Sequence, residues 1–87
     1  MASYRLALTE SAEKELHRLT KTVVERIAAR IEKLSASPRP NGCKKLKGGA
    51  NEWRIRVGDY RIVYSIDDAQ KLVDVVRIAH RKEVYEP

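Results

Sequence analysis

The feature that most constrains the fold is a pair of alternating segments separated by only two residues. Glu52–Val57 alternates polar with apolar side chains, Tyr60–Ile66 does so except at Val63, and Gly58-Asp59 stands between them. This arrangement is typical of a β-hairpin with a two-residue turn that begins with glycine. Because the length of such a turn fixes which residues lie opposite one another, the sequence predicts the register of the hairpin as well as its existence.

The predicted register divides the hairpin into two chemically different faces. Alternation places one set of side chains on the face expected to meet the core: Trp53, Ile55, Val57, Tyr60, Ile62, Tyr64 and Ile66. The other face receives Arg54, Arg56 and Arg61, with Arg56 directly opposite Arg61. Like charges directly opposite one another destabilise a strand pair by up to about 1 kcal/mol. A solvated polar face is one explanation, but guanidinium groups also bind phosphate bidentately, which favours a phosphate-binding face.

The segments before the hairpin predict one strand followed by two helices. Tyr4–Leu8 alternates as a short strand, and Thr9 is placed to cap a helix that begins at Glu10. Apolar residues then recur at helical spacing from Ala12 to Leu34, with a corner near residues 20–22. Residues 35–51 carry prolines and glycines without periodicity and are expected to form a loop.

Lys71–Ala79 is predicted as the last strand. The order β-α-α-β-β-β predicts an α+β fold in which an N-terminal helical hairpin covers one face of an antiparallel sheet, with residues 1–87 as one domain. If the turn after the hairpin pairs Ile66 with Leu72, Arg77 joins the same face as the three arginines.

The net charge of the chain is concentrated in its middle. The 87 residues carry a formal charge of +6, which points to a polyanionic partner. Residues 39–61 contain seven basic against two acidic side chains, a net +5. The seven are Arg39, Lys44, Lys45, Lys47, Arg54, Arg56 and Arg61.

Several classes of protein are excluded by the counts of single residue types. One cysteine, Cys43, cannot form an internal disulfide, and with only His17 and His80 it cannot form a zinc site of the usual spacing. No apolar run is long enough for a signal peptide or a membrane span, so we expect a cytoplasmic protein without a membrane partner. Phosphate-binding glycine loops and nucleophile elbows are absent, and Cys43 is expected to be a bystander.

The segment after the last predicted strand carries residues that could move protons. It reads His80-Arg81-Lys82-Glu83-Val84-Tyr85. A histidine exchanges protons near neutral pH, an arginine stabilises a phosphorane, and a tyrosine stacks on a base or moves a proton. By itself a histidine in this position is more often an ordinary surface residue.

Two motifs resemble the RelE toxins of the RelE/ParE superfamily. They are Trp53-Arg-Ile-Arg-Val-Gly-Asp-Tyr-Arg-Ile-Val-Tyr64 and Val76-Arg-Ile-Ala-His-Arg-Lys-Glu-Val-Tyr85, and the segment from Ser37 to Gly48 is similar as well. The resemblance covers essentially the whole chain. It implies the toxic half of a type II toxin–antitoxin module, which enters the ribosomal A site and cuts messenger RNA by attack of a 2′-hydroxyl on the adjacent phosphate, without metal or cofactor. The implied partners are a RelB-like antitoxin, mRNA and 16S ribosomal RNA, and operator DNA only through the antitoxin.

The resemblance assigns roles to individual residues. It implies catalytic roles for Arg54, Arg56, Arg61, Arg81 and Tyr85. To these we add His80 as catalytic. We expect contacts with RNA or the ribosome from a further basic set: Lys44, Lys45, Lys47, Arg77 and Lys82.

The chain departs from the family pattern at one chemically important pair. In the best-studied pattern of the family the positions of Arg54 and Arg56 carry lysine, and a lysine there has been proposed as general base. Arginine stays protonated and is a poor base, so proton abstraction should move elsewhere. His80 is the first candidate and Tyr85 the second, with Arg81 or Glu83 able to share the role.

Two other functions remain open at this point. A toxin like those of the ParE branch, which poisons DNA gyrase without cutting RNA, would share the hairpin but would not need the segment from His80 to Tyr85. A plain RNA-binding module would lack aromatic platforms here, because Trp53, Tyr60 and Tyr64 belong to the predicted core face.

Overall fold

A computed structural model of the chain describes residues 3–48, 51–80 and 82, which form two helices and one sheet. The elements in chain order are β1 (Arg5–Leu8), α1 (Glu10–His17), α2 (Lys21–Lys33), β2 (Lys44–Lys45), β3 (Glu52–Val57), β4 (Tyr60–Asp67) and β5 (Leu72–His80). The predicted α+β class is confirmed, and β3 matches its predicted bounds at both ends. None of the helices in this part of the chain has the length and apolar character needed to cross a bilayer.

The sheet has five strands in the order β1-β5-β4-β3-β2, so the last strand lies between the first strand and the hairpin. Three of the neighbouring pairs are antiparallel, but β1 and β5 run parallel, with Arg5 opposite Leu72. The sheet is therefore mixed, and the prediction that it is antiparallel throughout was wrong for this pair. No tight turn joins β1 to β5, since both helices and the hairpin intervene, and local sequence therefore did not set their direction.

The first helix begins where its capping residue places it. Thr9 accepts a hydrogen bond from Ala12 N at 3.2 Å through its side chain, as predicted, and its own amide donates to Val75 O at 2.9 Å. Thr9 therefore caps α1 and joins it to the edge of β5. The corner between the helices lies one or two residues earlier than predicted, because α2 already begins at Lys21.

A single apolar core lies between the helices and one face of the sheet. Its fully buried members include Ala12 and Ile27 from the helices and Ile62, Tyr64 and Val75 from the strands. Ile62 and Tyr64 fall on the face that the hairpin alternation predicted, and Trp53 and Tyr60 pack against the same core. Burying one large aliphatic side chain contributes about 1.5–3 kcal/mol, so this face of the sheet stabilises the domain.

The register between β4 and β5 differs from the predicted one. Asp67, and not Ile66, lies opposite Leu72, and a β-bulge at Val63/Tyr64 shifts the pairing once more. Beyond the bulge Val63 lies opposite Arg77. Two consecutive valines at 75 and 76 hide the extra residue from a reading based on alternation.

The segment expected to be a featureless loop is attached to the sheet at several points. Lys44 and Lys45 form β2 at the sheet edge, which the sequence analysis missed. The buried Tyr64 hydroxyl donates to Pro38 O at 2.7 Å, and burial next to Cys43 raises the pKa of this phenol far above its usual value. The basic residues Lys44 and Lys45 are thus fixed in a strand of the sheet and do not lie in a free loop.

Candidate nucleic-acid interface

The hairpin brings three arginines to the face away from the core, in the predicted register. Val57 lies opposite Tyr60 and Arg56 opposite Arg61. Gly58 has φ +60°, which L-residues with a side chain rarely adopt and which the first position of a type II′ turn requires. The glycine therefore fixes the pairing that places one arginine opposite another.

The short strand β2 adds a second like-charge pair to this face. Lys44 lies directly opposite Arg54, one pleat along from the Arg56–Arg61 pair. Residues directly opposite in a sheet share a face, so Lys44 joins the arginines. Its neighbour Lys45 must point the other way, and its ammonium lies 5.8 Å from the centre of the Trp53 ring. The predicted lysines are thus divided between two faces.

Arg77 is placed on the arginine face by the bulge in β5. Arg54 lies opposite Val63, and Val63 lies opposite Arg77, so the three form one row across neighbouring strands. Arg77 therefore joins the face as predicted, although it lies opposite Val63 and not opposite Arg61. We call the set Lys44, Arg54, Arg56, Arg61 and Arg77 the basic face.

Arg77 is held in place by a carboxylate from the first helix. Glu15 Oε2 accepts from Arg77 Nε at 3.0 Å, and Glu15 Oε1 accepts from the backbone amide of Ile78 at 2.8 Å. The second bond is possible because β1 pairs with β5 only as far as Val75, so β1 does not cover the amide of Ile78. One helical carboxylate thus accepts from a backbone amide at the part of the β5 edge that β1 does not cover, and it also orients an arginine of the basic face.

Glu15 was not identified from the sequence as a functional residue. It is 62 positions away from Arg77, beyond the reach of any local pattern. One signal was available: Glu15 lies three residues after the buried Ala12, which places a charge on the side of α1 that turns toward the sheet.

His80 lies away from the arginines it was predicted to assist. It pairs with Tyr60, whereas Arg61 pairs with Ala79, so His80 belongs to the sheet face that carries the core. Its ring meets Tyr60 edge-on, with centroids 5.3 Å apart and planes at 84°. The Lys82 amide donates to His80 Nδ1 at 3.2 Å, which in the neutral ring leaves the proton on Nε2. In this arrangement Nε2 is a proton donor, and Nδ1 accepts a proton only after that bond opens.

Arg39 belongs to a separate structural cluster. Its guanidinium makes two hydrogen bonds to the Asp68 carboxylate, at 2.8 and 3.3 Å, and lies 5.2 Å from the centre of the Trp53 ring. Tyr4 donates to Asp68 at 2.6 Å. These two hydrogen-bond partners, Arg39 foremost, lower the pKa of Asp68 from 3.8 to about 2. We call Tyr4, Arg39, Trp53 and Asp68 the clamp.

The remaining predicted residues differ in what the structure says of them. Lys47 and Lys82 are exposed. Arg81 and Tyr85, both predicted to be catalytic, and Glu83 lie outside the described residues. Among the residues that are described, no cluster of three or more histidine, cysteine, aspartate or glutamate side chains is arranged to hold a metal ion.

The comparisons with known proteins agree with this fold over almost its whole length. The family model described as "ParE toxin of type II toxin-antitoxin system, parDE" matches residues 6–85. Toxin RelE of Mycobacterium tuberculosis is 36% identical over 94% of this chain and 86% of its own length, and Toxin RelG of the same organism is 31% identical over 94% and 95%.

Solved structures show the same similarity in three dimensions. The M. tuberculosis toxin–antitoxin complex RelBE2 superposes with a TM-score of 0.81 at 29% identity, over 92% of this chain and all of the matched chain. The intact Escherichia coli RelBE complex gives 0.78 at 30% identity, over 88% and 95%. The resemblance first drawn from two sequence motifs is confirmed by these independent measures, and the chain belongs to the RelE/ParE superfamily, as a RelE-family toxin of type II toxin–antitoxin systems.

Proposed function

We propose that this toxin is a ribosome-dependent endoribonuclease that cleaves mRNA in the A site and so inhibits translation. The observation that carries the proposal is the basic face, where Lys44 opposes Arg54 and Arg56 opposes Arg61. Like charges directly opposite each other destabilise a strand pair, and a phosphodiester placed over them relieves that repulsion. The 36% identity to Toxin RelE of M. tuberculosis is consistent with the same activity.

The proposed reaction is a transesterification within the RNA. The 2′-oxygen attacks the adjacent phosphorus and loses its proton to a base, and the bond from phosphorus to the 5′-oxygen breaks. The 5′-oxygen takes up a proton, which leaves a 2′,3′-cyclic phosphate and a 5′-hydroxyl. Arg54, Arg56 and Arg61 would bind the scissile phosphate and stabilise the charge that grows on its oxygens in the transition state. This chemistry needs neither a metal nor a cofactor.

The proton transfers are assigned to the end of β5 and the segment after it. An arginine side chain is already protonated at neutral pH and has no lone pair free to take a further proton. Arg54 and Arg56 are therefore excluded as general bases. His80 remains our first candidate for the base, but it lies on the core face, so its side chain would have to turn around the end of β5 toward the basic face. It would then act through Nδ1 once RNA displaces the Lys82 amide, and Tyr85 is the second candidate. Arg81 would add a further positive charge at the phosphate.

The test is cleavage of mRNA on programmed ribosomes by the purified toxin, compared with Arg61→Ala and His80→Ala. We expect a loss on the order of 10²-fold or more for Arg61→Ala and a comparable loss for His80→Ala. Undiminished cutting by both variants would refute the mechanism, and no cutting by the unmodified toxin would refute the activity. If Arg61→Ala has its full effect and His80→Ala has none, the role of general base passes to Tyr85. The variant Tyr85→Phe then tests that assignment.

A second candidate function is supported by the family model, whose description names ParE toxins. Such a toxin would poison DNA gyrase without cutting RNA. Inhibition of gyrase supercoiling by the purified chain, without mRNA cleavage, would favour it. We rank it second because such a toxin would share the hairpin but would not need the segment from His80 to Tyr85, which this chain carries.

We also propose a RelB-like antitoxin as the partner that holds the toxin inactive in the cytoplasm, with operator DNA contacted only through it. Several relatives with this fold were solved as RelB–RelE complexes, in M. tuberculosis, Pyrococcus horikoshii and E. coli. An acidic antitoxin that folds on the toxin would suit a basic chain of this size. Co-expression with the product of the adjacent reading frame, followed by co-purification through a tag on one chain, tests this partnership.

A further inference from the structure

A shallow groove beside Arg77 extends the positive charge of the basic face onto the first helix. It lies between α1 and β5 and is lined by Ser11, Lys14, Glu15, Arg18 and Arg77. Three cationic side chains therefore surround one carboxylate. Arg77 belongs both to this groove and to the basic face, so the two surfaces are continuous.

The contacts in the groove leave most of its donors available. Glu15 accepts a hydrogen bond from Arg77 Nε, which is one of the five N–H donors of the guanidinium. The N–H groups on its opposite edge can therefore donate to a second anion. Arg18 is exposed at the end of α1. Lys14 contacts Glu10 at 3.2 Å, but both side chains are at least 70% exposed, and such pairs exchange readily for a stronger partner.

We infer that this α1 groove is a second phosphate subsite, which binds the RNA backbone at a nucleotide outside the one being cleaved. This inference rests on the proposed function, since it assigns an RNA to the basic face. A strand whose scissile phosphate lies over Arg56 and Arg61 passes Arg77 and then reaches Arg18 and Lys14. Glu15 acts as a positioning residue: it holds Arg77 where both surfaces can use it.

The groove predicts a dependence of affinity on RNA length. The probe is a 2′-O-methyl oligoribonucleotide, which lacks the attacking hydroxyl and cannot be cut. A probe of about four nucleotides occupies the basic face, and one of about twelve reaches the groove as well. Arg18→Gln should weaken the longer probe by roughly two- to fivefold and lower its salt dependence by about 0.7 in slope. The shorter probe should be unaffected.

The matched control is Lys33→Gln, which removes the same charge elsewhere. Lys33 is exposed near the end of α2, close to the start of β1, where Tyr4 N donates to Ser35 O. We expect this variant to bind both probes like the unmodified toxin. Equal losses for Arg18→Gln and Lys33→Gln, or a loss that is the same for both probe lengths, would overturn the subsite, because either result reflects net charge alone.

Glu15→Gln separates positioning from simple charge. The amide oxygen can still accept from Ile78 N, but the amide nitrogen cannot accept from Arg77 Nε. We expect weaker binding of the longer probe, although a negative charge has been removed, and no further effect of Glu15→Gln in an Arg77→Ala background. Tighter binding in both backgrounds would overturn the positioning role. Because the probe cannot be cleaved, these results stand or fall independently of the ribosomal cleavage assay.

Discussion

The basic face and the clamp use the same residue type in opposite ways. In the clamp, Arg39 lies between the Asp68 carboxylate and the Trp53 ring, and each contact stabilises its charge. On the basic face, Arg56 lies opposite Arg61 across the strand pair. The charge of Arg39 is directed toward groups of the fold, whereas the like charges of Arg56 and Arg61 lie side by side on the face away from the core, where they act together on an external anion. Charge counted along the chain does not distinguish the two, because Arg39 and Arg56 both belong to the same basic stretch.

The largest effect that tests this contrast is on catalysis. Arg61→Gln should lower the rate of ribosomal mRNA cleavage on the order of 10²-fold, since it removes a fixed charge from the transition state. Arg39→Gln should leave the rate within a few-fold of the unmodified toxin, because its charge is already neutralised by Asp68. Single-turnover cleavage at saturating toxin measures both. Similar losses for the two variants would show that Arg39 belongs to the active surface after all.

A smaller effect is expected on stability, with opposite signs in the two regions. Arg56→Thr relieves the repulsion from Arg61 and places a β-branched residue in a strand, and should stabilise the domain by up to about 1 kcal/mol. Arg39→Gln loses a cation–π contact and should destabilise it by about 0.5–1 kcal/mol. Urea denaturation provides both values.

Arg5→Thr is the matched control for Arg56→Thr. Arg5 is an exposed strand residue opposite Leu72, so its removal relieves no repulsion. We expect a smaller stabilisation from it, limited to the gain in strand propensity. If Arg5→Thr and Arg56→Thr stabilise the protein equally, strand propensity alone accounts for the gain.

The smallest effect is the pH dependence of the clamp. The pKa of Asp68 is lowered from 3.8 to about 2 in the folded protein, first by Arg39 and then by Tyr4. A lowered pKa contributes stability above pH 4, which is lost as the pH falls through about 2. Asp68→Asn should therefore lower the urea midpoint at pH 7, and its difference from the unmodified protein should shrink between pH 4 and pH 2. A difference that stays constant over this range would mean that the carboxylate charge is not what holds the clamp.

The extent to which sequence predicted this molecule depends on how local each determinant is. The Gly58-Asp59 turn specifies its own register, so the Arg56–Arg61 pair followed from a few consecutive residues. The strand β2 has two lysines and no alternation, and it forms only because β3 offers an edge beside it.

Non-local contacts account for the rest of what the sequence did not predict. Consecutive valines conceal the extra residue of the bulge, and with it the position of Arg77 opposite Val63. The bond from Glu15 to Arg77 depends on where β1 ends relative to β5, which is a property of the assembled sheet. Alternation placed the core face correctly because burial acts on every second residue, whereas pairing between distant strands leaves no periodic trace.

The position of β5 has a consequence for synthesis of the toxin. This strand lies between β1 and β4, although it is made after both of them. During translation β1 therefore has no strand to pair with until residues 72–80 have left the ribosome. Arg77 belongs to these residues and joins the basic face only then. Long-range pairing of this kind forms late, since the chain must be closed over a long loop first. A nascent chain therefore lacks its complete basic face until β5 emerges, so the surface that we propose binds RNA is completed last.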